Sequence, residues 1–249
     1  MGTMQWVKHF ERSVRRERWM GDGQPLRLPP ELRQPLVGTL QVFQRGLSSS
    51  GHDLRTKVRE HCDADYARAV DLYVQEKNIH AEMLAQLLWA AGSHPRGRHA
   101  SDFLFRRVRR RLDWLPELAL LLSVEIASVP YFKMLAHHVD EARFCSVLND
   151  ITSDQAYHLG FHIDHLRPAL AERSASQRIA LQQAWVGLFA NTLAALLFET
   201  RDVFRTLDLD RHAYWTDAWN LFAQVQSGLH GSAQLGALLT RDPRLKFVV

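Results

Sequence analysis

The amino-acid sequence predicts an all-α protein. From about residue 30 onward, apolar residues recur with a helical period, and the apolar–polar alternation typical of strands is missing. The breaks fall where glycine, proline and serine cluster, in GDGQPLRLPP, RGLSSSGHD, GSHPRGRHAS and SGLHGS. A chain of 249 residues, 46% of them hydrophobic, can bury one sizeable core. We therefore expect one helical domain over residues 30–249, preceded by a basic extension at residues 1–29.

The breaks place the helices in order. Pro29 and Pro30 open the first predicted helix, over about residues 31–47. The second ends before Gly92, after which we expect a basic loop and a short helix that lead to Trp114. We predict further helices at 65–91, 116–138, 140–168, 174–206 and 210–228. The helices up to about residue 170 form the expected core bundle, over about 30–170. Those over about 174–228 are additional C-terminal helices.

Composition limits the classes of function. The net charge of +4 comes mainly from arginine clusters at 11–18 and 105–114, which we interpret as solvated surfaces. No aromatic residues interleave with them as on an RNA platform, so we expect no nucleic-acid partner. Cys62 and Cys145 are the only cysteines, which excludes a disulfide framework. Charges or prolines interrupt the longest apolar stretches, and we expect a cytoplasmic protein without a membrane partner.

Acids and histidines repeat on two of the predicted helices. Glu76 and His80 are four residues apart on the second helix, and Asp154 and His158 have the same spacing on the fourth. Residues four apart lie on one helix face. Glu125 is a lone acid within the apolar segment LALLLSVEIASV, where a buried carboxylate needs a metal ion, a cation or a proton.

The chain contains, in order, the four segments FQRGLSSSGHDL, QEKNIHAEML, LLSVEIASVPYF and DQAYHLGFHIDHL. Together they resemble segments of ferritin-like di-iron carboxylate proteins, in particular bacterial oxidases and oxygenases. The resemblance covers about residues 30–170 and implies a ferritin-like four-helix bundle. It implies His80, Glu125 and His158 as metal ligands. It also implies that Glu76 and Asp154 hydrogen-bond the histidine of the opposite motif.

This chain departs from the family pattern at the ligating carboxylates. The resemblance would place glutamates at Lys77 and Gln155, and a third, less closely matched, near Leu47. With those carboxylates missing, the charge of two iron ions is not offset. We expect Lys77 to pair with Glu125, with Gln155 as a further neighbour.

Three interpretations of the centre stay open at this point. In the first the centre is metal-free, and Lys77, Glu125 and Gln155 form a small-molecule site with or without catalysis. In the second, iron or manganese is bound in a different register by Glu76, His80, Glu125, Asp154 and His158. In the third, a helical bundle merely buries polar side chains that are satisfied by one another. The stripe His158, His162 and His165 we interpret as partly core and partly surface.

The leading functional hypothesis is an enzyme of oxidoreductase descent that acts on a small hydrophobic or aromatic molecule, with Lys77 as base or nucleophile. The alternatives are a non-catalytic ligand-binding or scaffolding protein, a di-metal oxygenase and a tRNA-directed hydroxylase-like protein. Tyr73 is expected to pack, and Tyr157 is a candidate redox tyrosine. Aromatic residues after position 180 are expected to cover the bundle, with a homodimer face as the alternative: Trp185, Phe189, Phe198, Tyr214, Trp215 and Trp219.

Overall fold

A computed structural model describes residues 2–48, 51–96 and 114–229, and these residues form helices and connecting segments without a strand. The all-α prediction is confirmed for this part of the chain. In chain order the helices are α1 (Thr3–Ser13), α2 (Pro30–Leu47), α3 (His52–His61), α4 (Ala64–Ala90), α5 (Trp114–His138), α6 (Ala142–Ala171), α7 (Ala175–Glu199), α8 (Arg201–Thr206) and α9 (Arg211–Leu229).

Helices α2, α4, α5 and α6 pack together at the centre of the structure, and the others cover them. Tyr131 of α5 links α5 to α2, because its hydroxyl lies 3.1 Å from Thr39 Oγ1 and its ring stacks on Phe43. Helices α7 and α9 pack on α5, and α9 also packs on α6. Trp185 and Phe189 of α7 are buried in this shell, as expected for residues that cover the bundle.

Two helices were not predicted, and one predicted helix is divided. These two helices are α1 and α3, and the segment predicted at 174–206 is interrupted at Thr200. Thr200 is buried, and its hydroxyl and its backbone N–H both donate to the Leu196 carbonyl. The basic loop and short helix expected before Trp114, and the tail after residue 229, lie outside the described residues.

Helix α1 lies within the segment expected to be a basic extension, and it packs on the core. Trp6, Val7 and Phe10 are buried against α4 and α6. The Trp6 indole N–H donates to Asp164 of α6 at 3.1 Å, and the Phe10 ring contacts Phe161. The helical spacing of these apolar residues could have predicted α1, but the charged residues around them favoured the prediction of a basic extension.

Helix α3 begins at a glycine that no other residue could replace without strain. Gly51 has a φ of +63°, and a Cβ at this position would lie 2.7 Å from Val74 Cγ1 of α4. The left-handed backbone and the close approach together require glycine. The sequence RGLSSSGHD is thus a true break, but a short helix follows it.

Helices α5 (Trp114–His138) and α7 (Ala175–Glu199) are long and apolar enough to cross a membrane by length and composition. Most of the apolar window of α5 is buried in the protein, whereas only 17% of that of α7 is buried. Ile179, Val186 and Phe198 of α7 are exposed. The cytoplasmic location stays a prediction.

We expect replacement of Phe10 by alanine to lower the free energy of unfolding by ~3–5 kcal/mol, because a buried ring in the core is removed. Urea unfolding followed by circular dichroism measures this loss. The matched control is Lys8→Ala on the exposed side of α1, expected to change stability by less than ~0.5 kcal/mol. Equal stabilities for the two variants would show that α1 does not belong to the folded core.

Candidate functional site

The acid and histidine pairs of α4 and α6 bond crosswise. The His158 ring nitrogen Nε2 lies 2.7 Å from Glu76 Oε2, and His80 Nε2 lies 2.9 Å from Asp154 Oδ2. The earlier residue of each helix meets the later residue of the other, so α4 and α6 run antiparallel here. The hydrogen bonds between opposite motifs that the family resemblance implies are therefore present. All four side chains are buried.

Arg18 closes the open side of these two pairs. Its guanidinium nitrogen Nη2 lies 2.8 Å from both Glu76 Oε1 and Asp154 Oδ2, and its side chain is only 1% exposed. Arg16 Nη2 also lies 3.1 Å from Asp154 Oδ1. The Arg16 side chain is at the surface and is 43% exposed. The interpretation of the 11–18 cluster as a solvated surface is wrong for Arg18, because its charge is used inside the protein.

The end of α1 positions Arg18. Phe10 packs on the His158 ring, and Ser13 at the last turn of α1 donates its hydroxyl to Glu76. The chain then turns back, and Arg18 Nη1 donates to the Ser13 carbonyl at 2.6 Å. The apolar packing of α1 and the arginine contact thus depend on the same short segment.

Glu125 is bound from three sides through one oxygen. Its Oε1 lies 2.7 Å from Lys77 Nζ, 2.9 Å from the Tyr73 hydroxyl and 3.3 Å from His158 Nδ1. The predicted ion pair between Lys77 and Glu125 is confirmed. Tyr73, which was expected only to pack, is also a hydrogen-bond donor in the centre. Gln155 instead donates to Ser128 Oγ at 2.8 Å, one turn along α5 from Glu125.

His158 joins the two parts of the centre as a cation. Both of its ring nitrogens face carboxylates, which only accept hydrogen bonds when ionised, so both nitrogens carry protons. Burial alone would lower the pKa of His158, but Glu125 and Glu76 outweigh it and raise the pKa to about 9. Three buried carboxylates, Glu76, Glu125 and Asp154, thus meet the buried cations Arg18 and His158 and the partly exposed ammonium of Lys77.

The carboxylates stay ionised despite their burial. Burial raises the pKa of Glu125, yet Lys77 and His158 lower it further than burial raises it. The pKa of Asp154 is likewise raised by burial, but the bonds from His80 and Arg18 bring it well below the ordinary value. The ionised state of the buried carboxylates is therefore determined by the cations and hydrogen-bond donors around them.

The other histidines of the centre are neutral. Burial lowers the pKa of His80 more than Asp154 raises it, and burial lowers the pKa of His162 to about 3. His165 is half-buried and stacks on Tyr66, and burial lowers its pKa to about 4. The histidine stripe on α6 is thus partly core and partly surface, as expected.

The residues of the centre do not fit a pair of iron ions. At the positions of the family's ligand carboxylates, Lys77 places an ammonium on Glu125, and Leu47 is buried without a ligand atom. Potential ligand atoms of Glu76, His80 and Asp154 do lie within 4.8 Å of one another. However, Arg18 contacts both carboxylates, so a metal ion there would compete with a buried positive charge.

Tyr157, the candidate redox tyrosine, lies away from this centre. It is 46% exposed, and its ring contacts His9 of α1 with 4.3 Å between the ring centroids. Its position immediately before His158 in the sequence turns it to the outer face of α6. Tyr73 on α4 is instead the tyrosine whose hydroxyl donates to Glu125.

No protein-family model, curated protein or solved structure matches this chain.

We expect Arg18→Met to lower the free energy of unfolding by ~3–5 kcal/mol, because removal of one partner leaves buried carboxylates unpaired. Chemical denaturation at neutral pH measures the loss. Arg15→Met removes the same charge from an exposed position three residues earlier and is expected to cost less than ~0.5 kcal/mol. A small loss in both variants would contradict the assigned role of Arg18.

The pKa of His158 predicts an alkaline loss of stability. Its pKa is about 9 in the folded protein, against roughly 6.5 for an unfolded histidine, so protonation favours the folded state. This contribution is fully present below about pH 6.5 and is lost as the pH rises through 9. Unfolding free energies between pH 6 and 10 should fall more steeply for the wild type than for His158→Gln. The exposed His61→Gln variant should follow the wild type.

Proposed function

We propose that this chain is a metal-independent ferritin-like protein that binds a small organic molecule. The observation that carries the proposal is the buried guanidinium of Arg18, placed 2.8 Å from an oxygen of both Glu76 and Asp154. A protein cation there supplies the positive charge that a metal ion supplies in the di-iron members of this class. The acids are then neutralised without any bound ion.

The all-helical fold and the order of the site residues support the ferritin-like class. Helices α4 and α6 each contribute an acid and a histidine, and α5 contributes Glu125 between them in sequence. The crosswise bonds that orient histidines in a metal centre are kept even though Lys77 and Gln155 replace the expected ligands. Such a frame is consistent with descent from di-iron oxidoreductases.

Charge balance argues against the di-metal oxygenase alternative. Two divalent ions require about four carboxylates in this class, whereas the three carboxylates here are already paired with Arg18, His158 and Lys77. Adding metal would require expulsion of Arg18 and Lys77 from their partners. The cost of exposing or stranding these charges opposes metal binding.

Lys77 favours binding over covalent catalysis. Its side chain is 12% exposed, against 1% for Glu125, so Lys77 is the part of this ion pair that solvent reaches. An ammonium within an ion pair has no lone pair for attack on a carbonyl carbon. An enzymatic role would first require proton loss from Lys77, whereas binding of a ligand requires no such step.

The remaining alternatives lack support from the described residues. The tRNA-directed hypothesis depends on the arginine clusters, but Arg18 is used internally and residues 105–113 lie outside the described residues. The homodimer stays a prediction. Trp185, Phe189 and Tyr214, which belonged to its predicted face, are buried within the chain.

Metal titration tests the proposal. We expect the purified wild type to bind Fe²⁺ or Mn²⁺ only substoichiometrically under anaerobic conditions, as measured by calorimetry and elemental analysis. The double variant Lys77→Glu with Gln155→Glu restores carboxylates where the family resemblance places them and should increase uptake.

A surface variant with the same change of charge, Lys8→Glu with Gln44→Glu, controls for non-specific attraction of cations. It should behave as the wild type does. Stoichiometric binding by the wild type that His80→Ala abolishes would overturn the proposal.

A further inference from the structure

An apolar cavity of about 150 Å³ lies between α5, α6, α7 and α9. Its wall consists mainly of aliphatic side chains and one indole, including Leu115, Leu122, Leu166, Trp185 and Leu188. The Trp185 N–H already donates to Ser123 Oγ and to the Ala119 carbonyl, so the indole offers apolar surface rather than a donor. The cavity is thus suited to an apolar group.

The polar side chains at the cavity are positively charged or neutral. Arg178, Gln182 and Gln226 line it, and no acidic side chain does so among the described residues. The amide nitrogen of Gln226 is buried and has no hydrogen-bond partner within the described part of the chain. A buried donor without an acceptor indicates that a ligand atom can complete the site.

We propose that this cavity binds a monocyclic aromatic carboxylate. An apolar cavity of this volume accommodates a single benzene ring in another protein, which fixes the size of the apolar part. Arg178 supplies the planar, permanently charged partner that a carboxylate prefers, and the Gln226 amide supplies a second donor. The ring lies among the leucines and Trp185, and the carboxylate faces the donors.

This inference rests on the proposed function, since it names the class of ligand and its location. The cavity and the charged centre share α5, where Leu122 lines the cavity and Glu125 pairs with Lys77. A mostly apolar pocket with a few convergent polar groups is the usual form of a small-molecule site. The cavity is mostly apolar and has polar side chains in its wall. The charged side chains of the centre are ion-paired, although Glu125 Oε2, His80 Nδ1 and Gln155 Oε1 are buried there without a hydrogen-bond partner among the described residues.

Calorimetry on the full chain with 4-ethylbenzoate and its neutral isostere 4-ethylbenzamide tests the proposal. We expect the carboxylate to bind roughly tenfold more tightly than the amide, since a hydrogen bond to a charged group contributes at least that much. Arg178→Gln should remove this preference. Arg173→Gln, which makes the same change at an exposed residue, should preserve it.

Ala184→Phe provides a second test, because Ala184 lines the cavity. Ala184 is itself exposed, and thermal unfolding of the variant protein checks that it folds. The added ring should weaken binding of both ligands. Absence of binding, equal affinities for the two ligands in the wild type, or binding unchanged by Ala184→Phe would overturn the carboxylate site. None of these outcomes involves metal, so stoichiometric Fe²⁺ in the titration above would instead overturn the metal-independent function.

Discussion

The contact of one guanidinium with two buried carboxylates determines much else in this structure. Glu76 and Asp154 could not remain ionised in a closed core without a cation, and Arg18 lies 2.8 Å from an oxygen of each. The contact requires the chain to turn back after α1, which in turn requires Phe10 to pack on α4 and α6. The N-terminal helix is therefore as necessary to the centre as the helices that carry its acids.

His158 makes one network of what would otherwise be two ion-paired groups. It donates to Glu76 on the side of Arg18 and to Glu125 on the side of Lys77. Arg18 is shared by Glu76 and Asp154, and His158 is shared by Glu76 and Glu125, whereas Lys77 is paired with Glu125. Loss of Arg18 or His158 therefore leaves two acids undercompensated, and loss of Lys77 leaves one.

Helical periodicity was sufficient to predict the long helices, because each buries an apolar face that the sequence displays. The Lys77–Glu125 pair was expected because the resemblance to di-iron proteins places ligand carboxylates at the positions of Lys77 and Glu125. Arg18 was not, since the residues that it contacts lie 58 and 136 positions away and its cluster resembles an ordinary solvated surface. Tyr73 was missed for a related reason: one side of its ring packs, and only the position of its hydroxyl relative to Glu125 reveals the second role.

The ion-paired centre and the apolar cavity offer different surroundings to a ligand. The charged side chains are engaged with one another, so a ligand gains most by burying apolar surface elsewhere, as the cavity beside α5 permits. Leu122 of that cavity and Glu125 of the centre are three residues apart and hence one turn apart on α5. The ion pair and the cavity thus share α5, although one is charged and the other is lined mainly by apolar side chains.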